Sequence, residues 1–202
     1  MPDSTSEILG LFSLLIGVVS YVPYLRTILS GKTKPHAFSW FVWALLMAIA
    51  FFAQDTGGAG PGAWATGLSA IVAFIIVAFA LFKGEKQITR SDWITFIGAL
   101  SAIPVWYATK DPLYAVILIT VIDALGFYPT YRKSWNKPQE EPPLPWTLGA
   151  FKYVVALFAL EKFNWTTALY PASLVLMNGV FAVMIVWRKR VLSSLTSAPE
   201  PL

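Results

Sequence analysis

The 202-residue chain contains no cysteine and a single histidine, His36. The first lack excludes disulfides, thiolate metal sites and cysteine nucleophiles. The second, with no closely spaced carboxylate cluster, leaves neither a metal centre nor a nucleophile paired with a base. No enzyme is expected, and no metal or other cofactor. Charge is scarce too, at 13% of residues against 56% apolar. With a mean hydropathy of +0.62, too little polar surface remains to coat a water-soluble globule. The opening residues MPDSTSE carry no positive n-region and no small-residue cleavage site, so a cleaved signal peptide is not expected.

What the chain has in quantity is continuous apolar sequence. A helix crosses a hydrocarbon core about 30 Å thick with roughly 20 apolar residues, and seven runs approach that length: Ile8 to Leu29, Ala37 to Ala53, Gly62 to Phe82, Ser91 to Ala108, Pro112 to Tyr131, Pro145 to Leu160, and Thr166 to Trp187. Barrel strands would alternate polar with apolar residues, and these runs do not. The expected fold is an all-α integral membrane bundle of seven transmembrane helices, with the lipid bilayer as its first partner. The tail 191–202, small, polar and proline-containing, is expected to be disordered.

Basic residues fall after alternate runs. Arg26, Lys32 and Lys34 follow the first; Lys83, Lys86 and Arg90 the third; Arg132, Lys133 and Lys137 the fifth; Arg188, Lys189 and Arg190 the seventh. The opposite side carries Lys110 and Lys162 among the acids Asp3, Glu7, Asp55, Asp111 and Glu161. The positive-inside rule then places the N-terminus outside and the C-terminus in the cytoplasm, with the bacterial inner (plasma) membrane as the expected location. Each basic cluster holds three residues and hugs a helix end, so no nucleic-acid partner is expected.

Sliding the chain by 106 positions without a gap superposes Pro23 on Pro129, Arg26 on Arg132, Trp40 on Trp146, Asp55 on Glu161 and Lys83 on Lys189. The register matches helix ends, loop charge and proline position together. Runs one to three therefore repeat as runs five to seven, and the single run between them makes the repeat a parallel one. Two three-helix repeats, 1–86 and 112–190, joined by a linker helix in 87–111, should pack about a pseudo-twofold axis with a cavity between them.

This 3+1+3 plan, with a proline near the cytoplasmic end of the first helix of each triplet, resembles the PQ-loop superfamily, which includes the SWEET sugar facilitators. Family members carry Pro-Gln at that point; here Tyr24 and Thr130 follow Pro23 and Pro129. The resemblance implies a transporter fold with a central solute site. It also implies a sugar-binding role for Asn178, because SWEET-like proteins carry an asparagine in the middle of the last helix.

Polar residues within the spans mark the candidate site, since a charge at mid-bilayer costs at least about 2.5 to 3.5 kcal/mol and usually faces a partner or water. Asp123 lies about 13.5 Å in from Arg132 at helical rise, and Lys152 about 10 Å in from Pro145. A short loop joins their helices, so an Asp123 to Lys152 ion pair is expected, either as a substrate or proton-coupling site or as a bridge fixing helix register. Asn178 either hydrogen-bonds a neutral solute or ties a neighbouring helix. Ser13, Gly17, Ser20 and Tyr24 share one inward face of the first helix, with Ser20 a candidate contact to solute; Trp43 is deep enough to stack on a ring-shaped one. Pro23 and Pro129 are candidate hinges, because proline removes a backbone donor and weakens the helix there. The expected function is a facilitator or proton-coupled transporter for a small polar solute such as a sugar, amino acid or vitamin precursor. A receptor or assembly factor of the same fold is the alternative. A homo-oligomer is compatible with either.

Overall fold

A computed structural model of the chain describes residues 4–31, 35, 37–84, 90–136 and 138–196. His36, Lys32 and Lys34, and the end of the tail, lie outside the described residues. Among the described residues the fold is all helical: α1 (Ser4–Leu29), α2 (Ala37–Thr56), α3 (Trp64–Lys83), α4 (Arg90–Thr109), α5 (Pro112–Asn136), α6 (Pro143–Phe158) and α7 (Trp165–Thr196). Short 3₁₀ turns at Gly60–Ala63 and Pro138–Glu140 precede α3 and α6.

Local sequence sets the helix ends. Glu7 in the first turn of α1 and Arg26 in its last complement the helix dipole. Pro143 opens α6, where its missing N–H would have had no helical partner. Between α2 and α3, Gly58 and Gly60 take φ of +82° and +57°, a backbone open to glycine without strain. α1 passes through Pro23 and α5 through Pro129 without a break. Two boundaries differ most from the sequence expectation. α5 continues through Arg132 and Lys133 to Asn136, because a helix need not stop where its apolar stretch does. α7 runs on through Val191 and Leu192 to Thr196, so half of the tail expected to be disordered is helical.

Neighbours along the chain are not always neighbours in space. α3 packs against both α1 and α2, and α7 against both α5 and α6, giving the spatial orders α1, α3, α2 and α5, α7, α6. The two sets meet through α1 against α6 and α2 against α5, and α4 packs on α2 and α5. At one end of the bundle, here the acidic end, the α2–α3 and α6–α7 loops are tied together. The Glu161 N–H donates to the Ala59 carbonyl at 3.1 Å, and Asn164 Nδ2 donates to the Gly57 carbonyl at 3.2 Å. The opposite, basic end carries Arg26 and Arg188 to Arg190.

The interior is lined by small residues, among them Ala44, Ala50, Ala65, Ala99, Ala115 and Ala156, which let helix backbones approach closely. The distribution of polarity is inverted relative to a water-soluble protein. Ser13, Ser69, Asp123 and Lys152 are buried, while Leu11, Phe12, Leu15, Ile94 and Val183 lie exposed. Three helical segments, Ser4–Arg26, Gly60–Phe82 and Trp165–Ser193, are long and apolar enough to cross a membrane. Together these features mark a membrane protein.

Candidate functional site

Five helices bring a polar cluster into the centre of the bundle. Lys152 on α6, 2% exposed, donates from Nζ to Ser69 Oγ on α3 at 2.8 Å. Its ammonium stands 4.4 Å from the ring centroid of Tyr153 and 5.1 Å from that of Tyr21 on α1, distances at which the electron-rich ring faces attract a cation. Ser69 is the junction. Its hydroxyl donates to the Ala65 carbonyl at 2.7 Å and accepts from both Lys152 and the Tyr153 hydroxyl, the latter at 3.3 Å. On the other side of the cluster Asp123, also 2% exposed, accepts from the Tyr170 hydroxyl of α7 at 3.2 Å.

The ion pair expected between Asp123 and Lys152 does not form, and the reason is topological. α7 lies between α5 and α6, so the short connecting loop does not make those helices direct neighbours. Lys152 points across the interface with α1 instead, where Gly17 leaves room for its stem. A Cβ on Gly17 would stand 3.2 Å from Lys152 Cδ and 3.0 Å from Leu68 Cδ2. Gly17 is the residue that the 106-position offset pairs with Asp123. One member of that pair supplies a charge, and the other supplies the space that admits the opposite charge.

The remaining sequence candidates are placed differently. Ser13 and Ser20 are buried with Gly17 on the inner face of α1, and Ser20 Oγ donates to the Gly17 carbonyl at 2.7 Å. Asn178 is buried on α7, where Nδ2 donates to the Leu174 carbonyl of its own helix at 2.7 Å. Its Oδ1 faces α6, 3.2 Å from where a Cβ on Gly149 would sit. Trp43 packs edge-to-face on Trp40 at 5.4 Å, toward the basic end and away from the charged cluster. Tyr153 and Tyr170 were not singled out by the sequence, nor was Tyr21, because tyrosines inside apolar runs read as ordinary core or interfacial aromatics. Depth is a legible signal for Tyr21 and Tyr153, which lie well inside their apolar runs, but not for Tyr170, five residues from the start of α7.

Aromatic packing closes the basic end. Trp146 stands 5.7 Å from Phe127 and 4.5 Å from Phe181, and the Tyr131 hydroxyl donates to the Met177 carbonyl at 2.6 Å. Trp40, the offset partner of Trp146, donates its indole N–H to the Tyr24 hydroxyl at 3.2 Å. At the acidic end a cavity of about 190 Å³ is lined by Glu7, Asp55 and Glu161 with Phe51 and Trp64. No member of the charged cluster lines it, and Asp123 and Lys152 are both buried.

No protein-family model, no curated protein and no solved structure matches the chain.

Proposed function

We propose that the protein is a seven-span transporter for a small polar solute bearing both a positive and a negative group. The solute would pass between two like-oriented halves, α1 to α3 and α5 to α7, with α4 inverting the chain between them. The carrying observation is that two opposite charges are buried in one cluster, each held by a neutral hydroxyl and not by the other. Buried charges are stable only when paired or well hydrogen-bonded. A zwitterion that places its ammonium group on Asp123 and its carboxylate on Lys152 completes both at once. In a proton-coupled cycle Asp123 also carries the proton on the return step.

The packing order supports the two-halves reading. Among these six helices, exchanging α1, α2 and α3 for α5, α6 and α7 leaves the set of packed pairs unchanged, as a pseudo-twofold axis requires; α4, packed on α2 and α5, stands outside that symmetry. The resemblance to the PQ-loop superfamily points the same way, with Pro23 and Pro129 as hinges toward the basic end. The distribution of basic residues supports an outside N-terminus and a cytoplasmic C-terminus.

Purified protein in liposomes tests the reading directly with a panel of radiolabelled amino acids, betaines and sugars. A zwitterion is expected to accumulate above protein-free liposomes, with both Asp123→Asn and Lys152→Met abolishing the flux. A chain that passes none of the panel, or passes sugars and zwitterions alike in both variants, refutes it.

A further inference from the structure

Gln54 and Thr66 hold hydrogen-bonding capacity that the fold does not use. Both are fully enclosed, at 0% exposure, and the Gln54 amide nitrogen and oxygen and the Thr66 hydroxyl have no hydrogen-bond partner among the described residues. Three other buried hydroxyls are satisfied within their own helices, Ser13 on Gly10, Ser20 on Gly17 and Ser69 on Ala65; Ser134 on α5 is the other unpartnered one among the described residues. Thr66 makes no such bond, although it lies on the same helix as Ser69. A site that served packing alone would favour apolar side chains of the same shape, since an unpartnered buried amide is penalised and its apolar isostere is not.

Their positions relate them to each other and to the charged cluster. Gln54 lies two residues before the end of α2, and Thr66 two residues after the start of α3. The helices are adjacent and joined by a short loop, so the two side chains start from nearly the same level. Thr66 is one turn from Ser69 on the same face of α3, on the acidic side of the Lys152 contact. The end of α2 also abuts the start of α7, where a Cβ on Gly57 would stand 2.9 Å from Thr167 Cγ2. Gln54 thus sits in the last turn of a helix at the seam between the two proposed halves.

We infer that Gln54 and Thr66 form a second, charge-free recognition station on the acidic side of the charged cluster, for an uncharged solute group that offers a hydrogen-bond donor beside an acceptor, as a primary carboxamide does. An amide side chain matches such a group edge to edge, donating from Nε2 and accepting at Oε1, and the Thr66 hydroxyl supplies either role. This deepens the transport reading and rests on it in one respect, that solute enters the seam between the halves. The station then discriminates among zwitterions by their side chains, while Asp123 and Lys152 hold the groups they share.

Two measurements test it. L-asparagine and L-leucine differ by a carboxamide in place of an isopropyl group of nearly the same shape, so their competition for binding to purified protein reads the station alone. Wild type is expected to prefer asparagine by at least about tenfold, because a site built to hydrogen-bond a group rejects the analogue that lacks it. Gln54→Met and Thr66→Val should remove that preference while leaving leucine binding within about twofold of wild type. An unchanged preference, or an equal loss of both ligands, overturns the inference. The chain has no cysteine, so Gln54→Cys and Thr66→Cys each introduce the only thiol. Both should react in liposomes with a small charged methanethiosulfonate as the seam opens. If neither amino acid binds wild type, the station is judged by labelling alone, while the zwitterion reading is judged by the wider liposome panel: unreactive thiols in folded protein overturn the station, and reactive ones sustain it.

Discussion

Ser69→Ala isolates the contact on which the buried lysine depends. The hydroxyl accepts the Lys152 ammonium at 2.8 Å and the Tyr153 hydroxyl at 3.3 Å. A hydrogen bond to a charged group contributes about 1.5 to 3 kcal/mol, and a neutral bond between membrane helices averages about 0.6 kcal/mol. The Tyr153 contact is long and belongs at or below that average. The bond from Ser69 to the Ala65 carbonyl within α3 adds little, since the hydroxyl back-bond is absent from an alanine helix at no cost. The ring faces of Tyr153 and Tyr21 remain, so the ammonium is not wholly abandoned. The expected loss is therefore about 2 to 3 kcal/mol in reversible unfolding of the purified protein. Lys152→Met removes the charge along with its need for a partner, so Ser69→Ala in that background should cost less than about 1 kcal/mol. The coupling energy of the cycle is then about 1 kcal/mol or more. A single-variant loss under about 0.5 kcal/mol, or a coupling near zero, would refute the seating of Lys152 on Ser69.

Tyr170→Phe removes the hydroxyl that donates to Asp123; a loss of about 1 to 3 kcal/mol is expected in the same unfolding assay, with Asp123→Asn abolishing the extra sensitivity. Gly17→Val must fit branched methyls where a bare Cβ already meets Leu68 at 3.0 Å and the Lys152 stem at 3.2 Å. It should destabilise by about 1 to 3 kcal/mol and displace the ammonium, and partial recovery in Lys152→Ala would attribute the clash to that stem. Gly60→Ala at the acidic end combines a φ of +57° with a Cβ 2.5 Å from Glu161 Cδ. The backbone part costs about 1 kcal/mol and should persist in a Glu161→Ala background, which relieves only the steric part.

The helices were legible because hydrophobic length carries most of the information in a lipid-facing bundle. All seven expected runs coincide with a helix, and the two ends that differ most, those of α5 and α7, run on past the apolar stretch through Arg132 and through Arg188 to Arg190. Depth was legible for the same reason: rise per residue located Asp123 and Lys152 well inside their helices, and both are buried. Lateral order was not. Residue counting gives height along a helix axis but not which helix stands beside which, and α7 between α5 and α6 is set by packing between sequence-distant faces. The ion-pair expectation failed on that point alone. Ser69 and Tyr170 entered the cluster through helices α3 and α7, which the sequence reading had not connected to either charge.

The 106-position offset gives the charged cluster a further meaning. Asp123, Lys152, Tyr153, Ser69 and Tyr170 correspond to Gly17, Leu46, Met47, Val175 and Trp64, so none of the five has a counterpart of its own kind. A frame with pseudo-twofold order has one axis and space for one solute upon it. Position 17 packs on the Lys152 stem, where a Cβ would already stand 3.2 Å from Lys152 Cδ. A second aspartate there would crowd that stem, and glycine admits it. A solute with distinct ends has no twofold symmetry either. Divergence at these five positions is what the proposed site for an asymmetric, doubly charged solute calls for, and the zwitterion panel with Asp123→Asn and Lys152→Met tests it.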